Sequence, residues 1–222
     1  MYQVFGVKTM LAWFTTLCGA IVIIRVWLLG YQFDGSMADG WRLISSSIAI
    51  GTLLVVLIGQ TKLFSYLCRA PLIKSFFPPI DGIWVAELSS NWNKIQELQG
   101  KLAEDSAKPL MAHVTIKSTL FFVRMNLTSA DRYSRSKTIH VTVSRDAQDS
   151  SVQLNYMYIN ETDVPLSTDS PTHNGAARLN VHDDGLCIWM DGTYWTDRKW
   201  SEGLNTAGRI ALRRPDAPSS RE

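Results

Sequence analysis

Two long apolar stretches, Met10 to Leu29 and Leu43 to Tyr66, dominate the chain before Phe77. Each is close to the roughly 20 residues that a helix needs to cross a bilayer. Backbone groups in hydrocarbon must find their partners within the segment, so stretches this apolar are read as helices. The predicted spans are 10–29 and 43–66, the second opened by Ser45-Ser46-Ser47 and closing at Gln60-Thr61-Lys62. A cleaved signal peptide fits the first stretch poorly. Its apolar run is too long, no small-x-small cleavage site follows, and a second span comes at once.

Charge is as unevenly spread as hydrophobicity. Residues 1–80 hold six lysines and arginines against two acids, and residues 81–222 hold sixteen against eighteen. The connection between the stretches carries Asp34, Asp39 and Arg42, with no basic excess, whereas Lys8 precedes the first and Lys62, Arg69 and Lys74 follow the second. The positive-inside bias then puts both termini in the cytoplasm and the short loop outside. The sequons at Asn126 and Asn160 are incidental in that topology. The slightly acidic second part argues against a duplex nucleic-acid binder, which needs a basic face.

Arg25 lies within the first span, where a charge is costly. Either it snorkels outward or it faces a protein partner, in which case it belongs to the membrane assembly. Ser47 and Gly51 form a small-xxx-small face that lets helices approach closely.

Beyond Pro78-Pro79 the dominant period becomes two. Phe121, Val123, Met125 and Leu127 alternate with polar neighbours, as do Ile139, Val141 and Val143, and then Val152, Leu154, Tyr156 and Tyr158. Leu179 with Val181, Leu186 with Ile188 and Met190, and Ile210 with Leu212 repeat the pattern. With Ile83–Leu88 and Leu110–Thr119, this predicts about eight antiparallel strands, a number that closes into a small barrel. Turn signals fall at Asp131-Arg132, Asp146 to Ser150, Asp183-Asp184-Gly185 and Glu202-Gly203. One helical stretch, Trp92, Ile95, Leu98 and Leu102 after a candidate cap at Asn91, is expected to cover one barrel end.

No catalytic signature is present, and no catalytic residue is assigned. Cys18, Cys68 and Cys187 form no CxxC pair, and His113, His140, His173 and His182 are dispersed, so neither a metal site nor a cofactor is predicted. The inward faces are more informative. Val152 and Leu154 share a face with Tyr156, Tyr158 and Asn160. Leu186, Ile188 and Met190 share one with Gly192, Tyr194, Thr196 and Arg198, if the strand stays regular. Both run from aliphatic to aromatic and polar, which predicts a packed end and a polar mouth. Trp84 has the parity to join that interior. A mouth of tyrosines, Trp84 and Arg198 suits a ligand with stackable rings and negative charge. The same residues also cap ordinary barrels by hydrogen bonding to strand ends.

Two N-terminal spans are followed by Gly82-Ile-Trp84, Gly192-Thr-Tyr194-Trp-Thr196-Asp-Arg198 and Thr206-Ala-Gly208-Arg-Ile210-Ala-Leu212-Arg213. In this order they resemble the two-transmembrane β-barrel effectors of bacterial cyclic-oligonucleotide anti-phage signalling (CBASS), related to SMODS-associating two-transmembrane β-strand-rich domains. The resemblance covers about Leu11 to Arg214. It implies an inner-membrane protein whose cytosolic barrel binds a cyclic dinucleotide, forms homo-oligomers on activation and disrupts the bilayer through its helices. The expected organisation is a helical anchor and effector region at 1–77, a ligand-sensing barrel at 78–214 and a tail at 215–222. Parity places ligand contacts on Trp84, Tyr156, Tyr158, Tyr194, Thr196 and Arg198. The rival reading is a membrane-tethered barrel carrying a lipid or other hydrophobic ligand, which requires an aliphatic interior throughout.

Overall fold

The computed structural model describes residues 2–4, 6–74, 76–101, 109–129, 134–146, 148 and 150–215. Two long helices, α1 (Gly6–Trp27) and α2 (Met37–Gln60), form an antiparallel hairpin. The second begins at Met37 rather than Leu43 and stops at Gln60 rather than Tyr66. Ser36 explains the early start, because its hydroxyl accepts from Asp39 N at 3.1 Å and so caps the helix ahead of its apolar run. Thr61 explains the stop: it leaves helical geometry (φ −103, ψ 172), and its hydroxyl accepts from Leu63 N to open the short α3 (Lys62–Leu67). Apolar composition runs on through that break, and the helix does not.

Among the described residues, α1 and α2 are the two helices long and apolar enough to cross a bilayer, and only 6% and 22% of their most apolar windows are buried by protein. Apolar surface that protein leaves uncovered is what a bilayer-crossing helix presents to lipid. The hairpin is closely packed along one seam. Ser47 is fully buried, and a methyl group added at Gly51 would fall 3.0 Å from Cys18 Sγ and 3.5 Å from Ile21 Cδ1. The small face therefore joins α1 to α2 within the chain. Arg25 is also engaged there: Nη1 donates to Ser46 Oγ (2.5 Å), Ser47 Oγ (3.3 Å) and the Leu43 carbonyl (3.3 Å), and the guanidinium lies 5.0 Å from the Tyr31 ring. Its partner is the neighbouring helix.

A short α4 (Pro71–Lys74) leads from the hairpin to eight strands. They are β1 (Gly82–Ser90), β2 (Leu110–Ser118), β3 (Val123–Ser129), β4 (Ser134–Arg145), β5 (Val152–Thr162), β6 (Thr172–Asp183), β7 (Ile188–Thr196) and β8 (Ala207–Arg213). They close into a barrel in chain order, every pair antiparallel, with β8 returning to β1 from Val85↔Arg213 to Ser90↔Gly208. Eight strands enclose an interior that side chains fill or that one small ligand occupies.

Three local expectations are corrected. Pairing of β4 with β5 shifts between Thr138 and His140, so bulged Ile139 points outward at 57% exposure while Val141 and Val143 stay inward. Thr138 Oγ1 accepts from Met125 N there (2.9 Å), a side chain standing in for a ladder bond. Leu186 is 94% exposed and belongs to a turn in which Asp184 Oδ1 accepts from Leu186 N and Cys187 N, so β7 starts only at Ile188. Finally, α5 (Trp92–Leu98) is not capped by the Asn91 side chain, whose Oδ1 instead accepts from Ala207 N (2.9 Å) and ties the helix start to β8. Leu102, the Asp131-Arg132 turn and residues 216–222 lie outside the described residues.

The barrel rests on the hairpin by one end. Leu120 N, between β2 and β3, donates to the Gly59 carbonyl (2.8 Å), Phe64 meets Phe77 edge-on at 5.4 Å, and Lys74 pairs with Asp183 at 2.9 Å. The other end carries α5 and the connections after β5 and β7.

Candidate functional site

Strand direction sorts the interior into two levels. Near the hairpin, Trp84, Ile116, Leu154, Leu179, Met190 and Leu212 fill the lumen, each at most 1% exposed. Arg214 plugs this base: it donates to the carbonyls of Pro79 (2.9 Å), Asp81 (2.8 Å) and Ile83 (3.3 Å), and its guanidinium lies 3.9 Å from the Trp84 ring centre. Gly82 permits the plug, since its φ is +120° and a Cβ would fall 2.6 Å from Arg214 Nη1.

Toward the far end the same inward rows become aromatic and then polar. On β5 they read Leu154, Tyr156, Tyr158, Asn160, Thr162, and on β7 Met190, Tyr194, Thr196. These rows surround a cavity of about 480 Å³, within the range of small-molecule sites. Five of the six residues predicted to share a ligand site line it: Tyr156, Tyr158, Tyr194, Thr196 and Arg198. Trp84 does not join them. It is interior, as its parity requires, but at the packed base, where its indole N–H donates to the Ile80 carbonyl (2.8 Å) beneath Arg214.

Arg198 reaches the cavity by a different route from the one periodicity suggested. Regular alternation ends at Thr196, and Asp197 accepts from Asn174 N (2.6 Å) and Nδ2 (3.0 Å). Lys199 then takes a left-handed conformation, φ 39°, and the chain turns. The Arg198 side chain lies back over the mouth, with Nη1 2.5 Å from Asp169 and its guanidinium 4.7 Å from the Trp92 ring centre.

The wall offers flat faces and hydrogen-bonding groups. Tyr156 and Tyr158 lie 5.4 Å apart at 34°. Tyr158 packs over its cross-strand partner Gly175, where a Cβ would fall 2.2 Å from Tyr158 Cζ. Burial raises the phenol pKa of Tyr156, Tyr158 and Tyr194, so all three are neutral hydroxyls at physiological pH. Asn160 Oδ1 accepts from Ser134 (3.0 Å) and Ser136 (2.9 Å), and Thr196 and Thr206 join through their hydroxyls at 3.0 Å.

Two atoms break the rule that buried polar groups are satisfied. Among the described residues, His173 Nδ1 and Arg198 Nε are buried with no hydrogen-bond partner. Burial, and then the charge of Arg198, lowers the His173 pKa and keeps the imidazole neutral. Both side chains line the cavity. The site thus combines stacking faces, neutral hydroxyls and unused hydrogen-bonding capacity beside a guanidinium, the groups that hold an aromatic anion.

Sequence reasoning did not place Trp92, Asp169, His173 or Gly175 at this site. The β6 parity that sends Gly175, Ala177 and Leu179 inward extends back to His173, so two of them were within reach. Asp169 sits in a loop without periodicity, and Trp92 was read only as part of a covering helix.

Residues 76–214 match the family described as "Cap15, cyclic dinucleotide receptor domain". Over 194 residues the chain is 31% identical to the CD-NTase-associated protein 15 of Escherichia albertii, an alignment covering 86% of this chain and 89% of that protein. The family match ends at Arg214, so it takes in all eight strands and the residue that plugs the base.

Proposed function

The chain belongs to the Cap15 family of cyclic dinucleotide receptors, and from that premise we propose that its barrel senses a cyclic dinucleotide in anti-phage defence and commands the hairpin to breach the inner membrane. The observation that supports this most directly is the far-end cavity. Its tyrosine faces accept two bases, and the Arg198 guanidinium meets a phosphate. The contacts we assign are Tyr156, Tyr158, Tyr194, Thr196 and Arg198, with His173 at their edge. Trp84 acts at one remove, by setting the floor beneath them.

Effector action follows if the ligand binds an assembled state better than the monomer, since equal affinity for both shifts nothing. Self-association then gathers the hairpins, whose outward surfaces are apolar, and the gathered helices disrupt the bilayer. Arg25 in this scheme holds each hairpin together through Ser46 and Ser47 while the hairpins associate. Both termini and the barrel lie on the cytoplasmic side, where the nucleotide is made. An acyl-chain carrier would need its aliphatic half to be open, and that half is packed solid.

The test uses the full chain in nanodiscs or detergent, melted against a panel of cyclic di- and trinucleotides with fatty acids as controls. A hundredfold excess over Kd of a ligand specific to the folded state should raise the midpoint by about 5–10 °C. The same nucleotide should release dye from liposomes carrying the protein. A shift with fatty acids alone would overturn the sensor reading. A nucleotide shift without dye release would overturn the membrane step.

A further inference from the structure

Among the described residues, the most buried ion pair in the molecule is the one at the cavity mouth. The Arg198 and Asp169 side chains are 13% and 7% exposed, with Nη1 and the carboxylate 2.5 Å apart. Asp169 is on no strand. It lies in the connection between β5 and β6, whose neighbouring Val164 and Leu166 are 68% and 53% exposed. That loop folds on itself through Asp169 N donating to the Leu166 carbonyl (2.8 Å) and is held near the mouth by Lys199 Nζ donating to the Ser167 carbonyl (2.6 Å). The cavity's strongest anion-binding group therefore already faces an anion from the protein itself.

Resting on the reading that the cavity takes a cyclic dinucleotide, we propose that Asp169 is an internal competitor: its carboxylate occupies the place on Arg198 that a ligand phosphate oxygen takes, and binding drives Asp169 and its loop off the guanidinium. Carboxylate and phosphate are recognised by guanidinium through the same charge-assisted bonds. Two anions crowded onto one buried guanidinium repel, so Asp169 and a phosphate exclude each other. The reverse vacancy is also disfavoured, because an Arg198 deprived of both would be an unpaired buried charge. The loop therefore leaves only as an anion arrives. Trp92 stays over the guanidinium in either state and keeps it aimed at the mouth.

A filter results. A neutral nucleoside can stack on the tyrosines, but it brings nothing to replace Asp169, and it leaves the loop closed. A ligand carrying both ring faces and phosphate charge opens the loop. Asp169 thereby sets the concentration at which the receptor responds.

The experiment titrates the full-length protein in detergent micelles with cyclic di-AMP, cyclic di-GMP and cyclic GMP–AMP, and compares wild type with Asp169→Asn. The amide keeps the shape and removes the competing charge. The variant should bind the wild type's preferred probe at least about tenfold more tightly, while melting at a lower temperature without probe. Equal or weaker binding by a folded variant overturns the competitor and leaves the nucleotide reading standing. Failure of both proteins to bind any probe overturns that reading and this inference with it. Hydrogen exchange on the wild type decides the matter if the variant does not fold. The amides of residues 166–170 should exchange faster with probe bound while strand amides are protected, and unchanged or slower loop exchange overturns the proposal.

Discussion

The two halves of the barrel lumen are made by the same eight strands and do opposite things. Near the hairpin, Leu154, Leu179, Met190 and Leu212 interlock above the Trp84–Arg214 plug, and among the described residues no buried side-chain nitrogen or oxygen there lacks a partner. A few residues along the same strands, Tyr158, Asn160, Tyr194 and Thr196 surround open space, with His173 Nδ1 and Arg198 Nε unsatisfied beside it. Closed packing supplies the free energy that holds the strands in register, and that register holds the open half in a shape it could not keep by itself. In the proposed site, recognition falls to the less tightly packed part of each strand.

The sharpest way to break this comparison is to damage the packed half alone. Leu154→Ala should destabilise the fold by about 2–5 kcal/mol, read by chemical denaturation, because a fully buried side chain leaves a cavity that the lumen cannot collapse to fill. Nucleotide affinity of the protein that remains folded should change little. Loss of affinity out of proportion to loss of stability would show that the halves are not separable. Gly175→Ala attacks the boundary from the other side. Its Cβ would land 2.2 Å from Tyr158 Cζ, so the ring must swing off its platform. The expected destabilisation is smaller, about 1–3 kcal/mol, with a clear loss of ligand affinity as the Tyr156–Tyr158 face is disrupted. Retained affinity would remove Tyr158 from the contact surface.

The packed half was easy to read in the sequence and the open half less so, for a physical reason. Alternation reports which side of a strand faces inward, and it correctly sent Leu154, Tyr156, Tyr158, Met190, Tyr194 and Thr196 into the lumen. It reports level only when the register between strands is known, which is why Trp84 was grouped with a mouth that lies at the opposite end. It also fails wherever a strand breaks. The bulge at Ile139 reversed one face, and the end of β7 at Thr196 left Arg198 to enter by a turn. Asp169 has no periodic neighbours at all and could be found only in three dimensions. The motif glycines were legible as motif and opaque as mechanism: Gly82 makes room for Arg214, and a Cβ at Gly192 would strike the Arg178 carbonyl oxygen of the neighbouring strand at 1.9 Å.

The mildest test separates the halves by proton rather than by mutation. His173 stands in the open half, and burial together with Arg198 holds its pKa below the ordinary 6.5, against opposing pulls from Asp197 and Asp169. Below pH 6.5 the unfolded chain therefore takes up a proton that the folded barrel resists, so stability falls as pH falls through this window and is complete above it. The wild-type midpoint should drop more than that of His173→Gln on acidification from pH 7.5 to 5.5, by about 2 °C or less. Ligand affinity should move the other way, since an imidazolium beside Arg198 adds positive charge where a phosphate binds. A packed structural histidine would show the first effect alone. Opposite pH slopes for the empty and the liganded protein, both abolished in His173→Gln, would place the imidazole against the bound nucleotide.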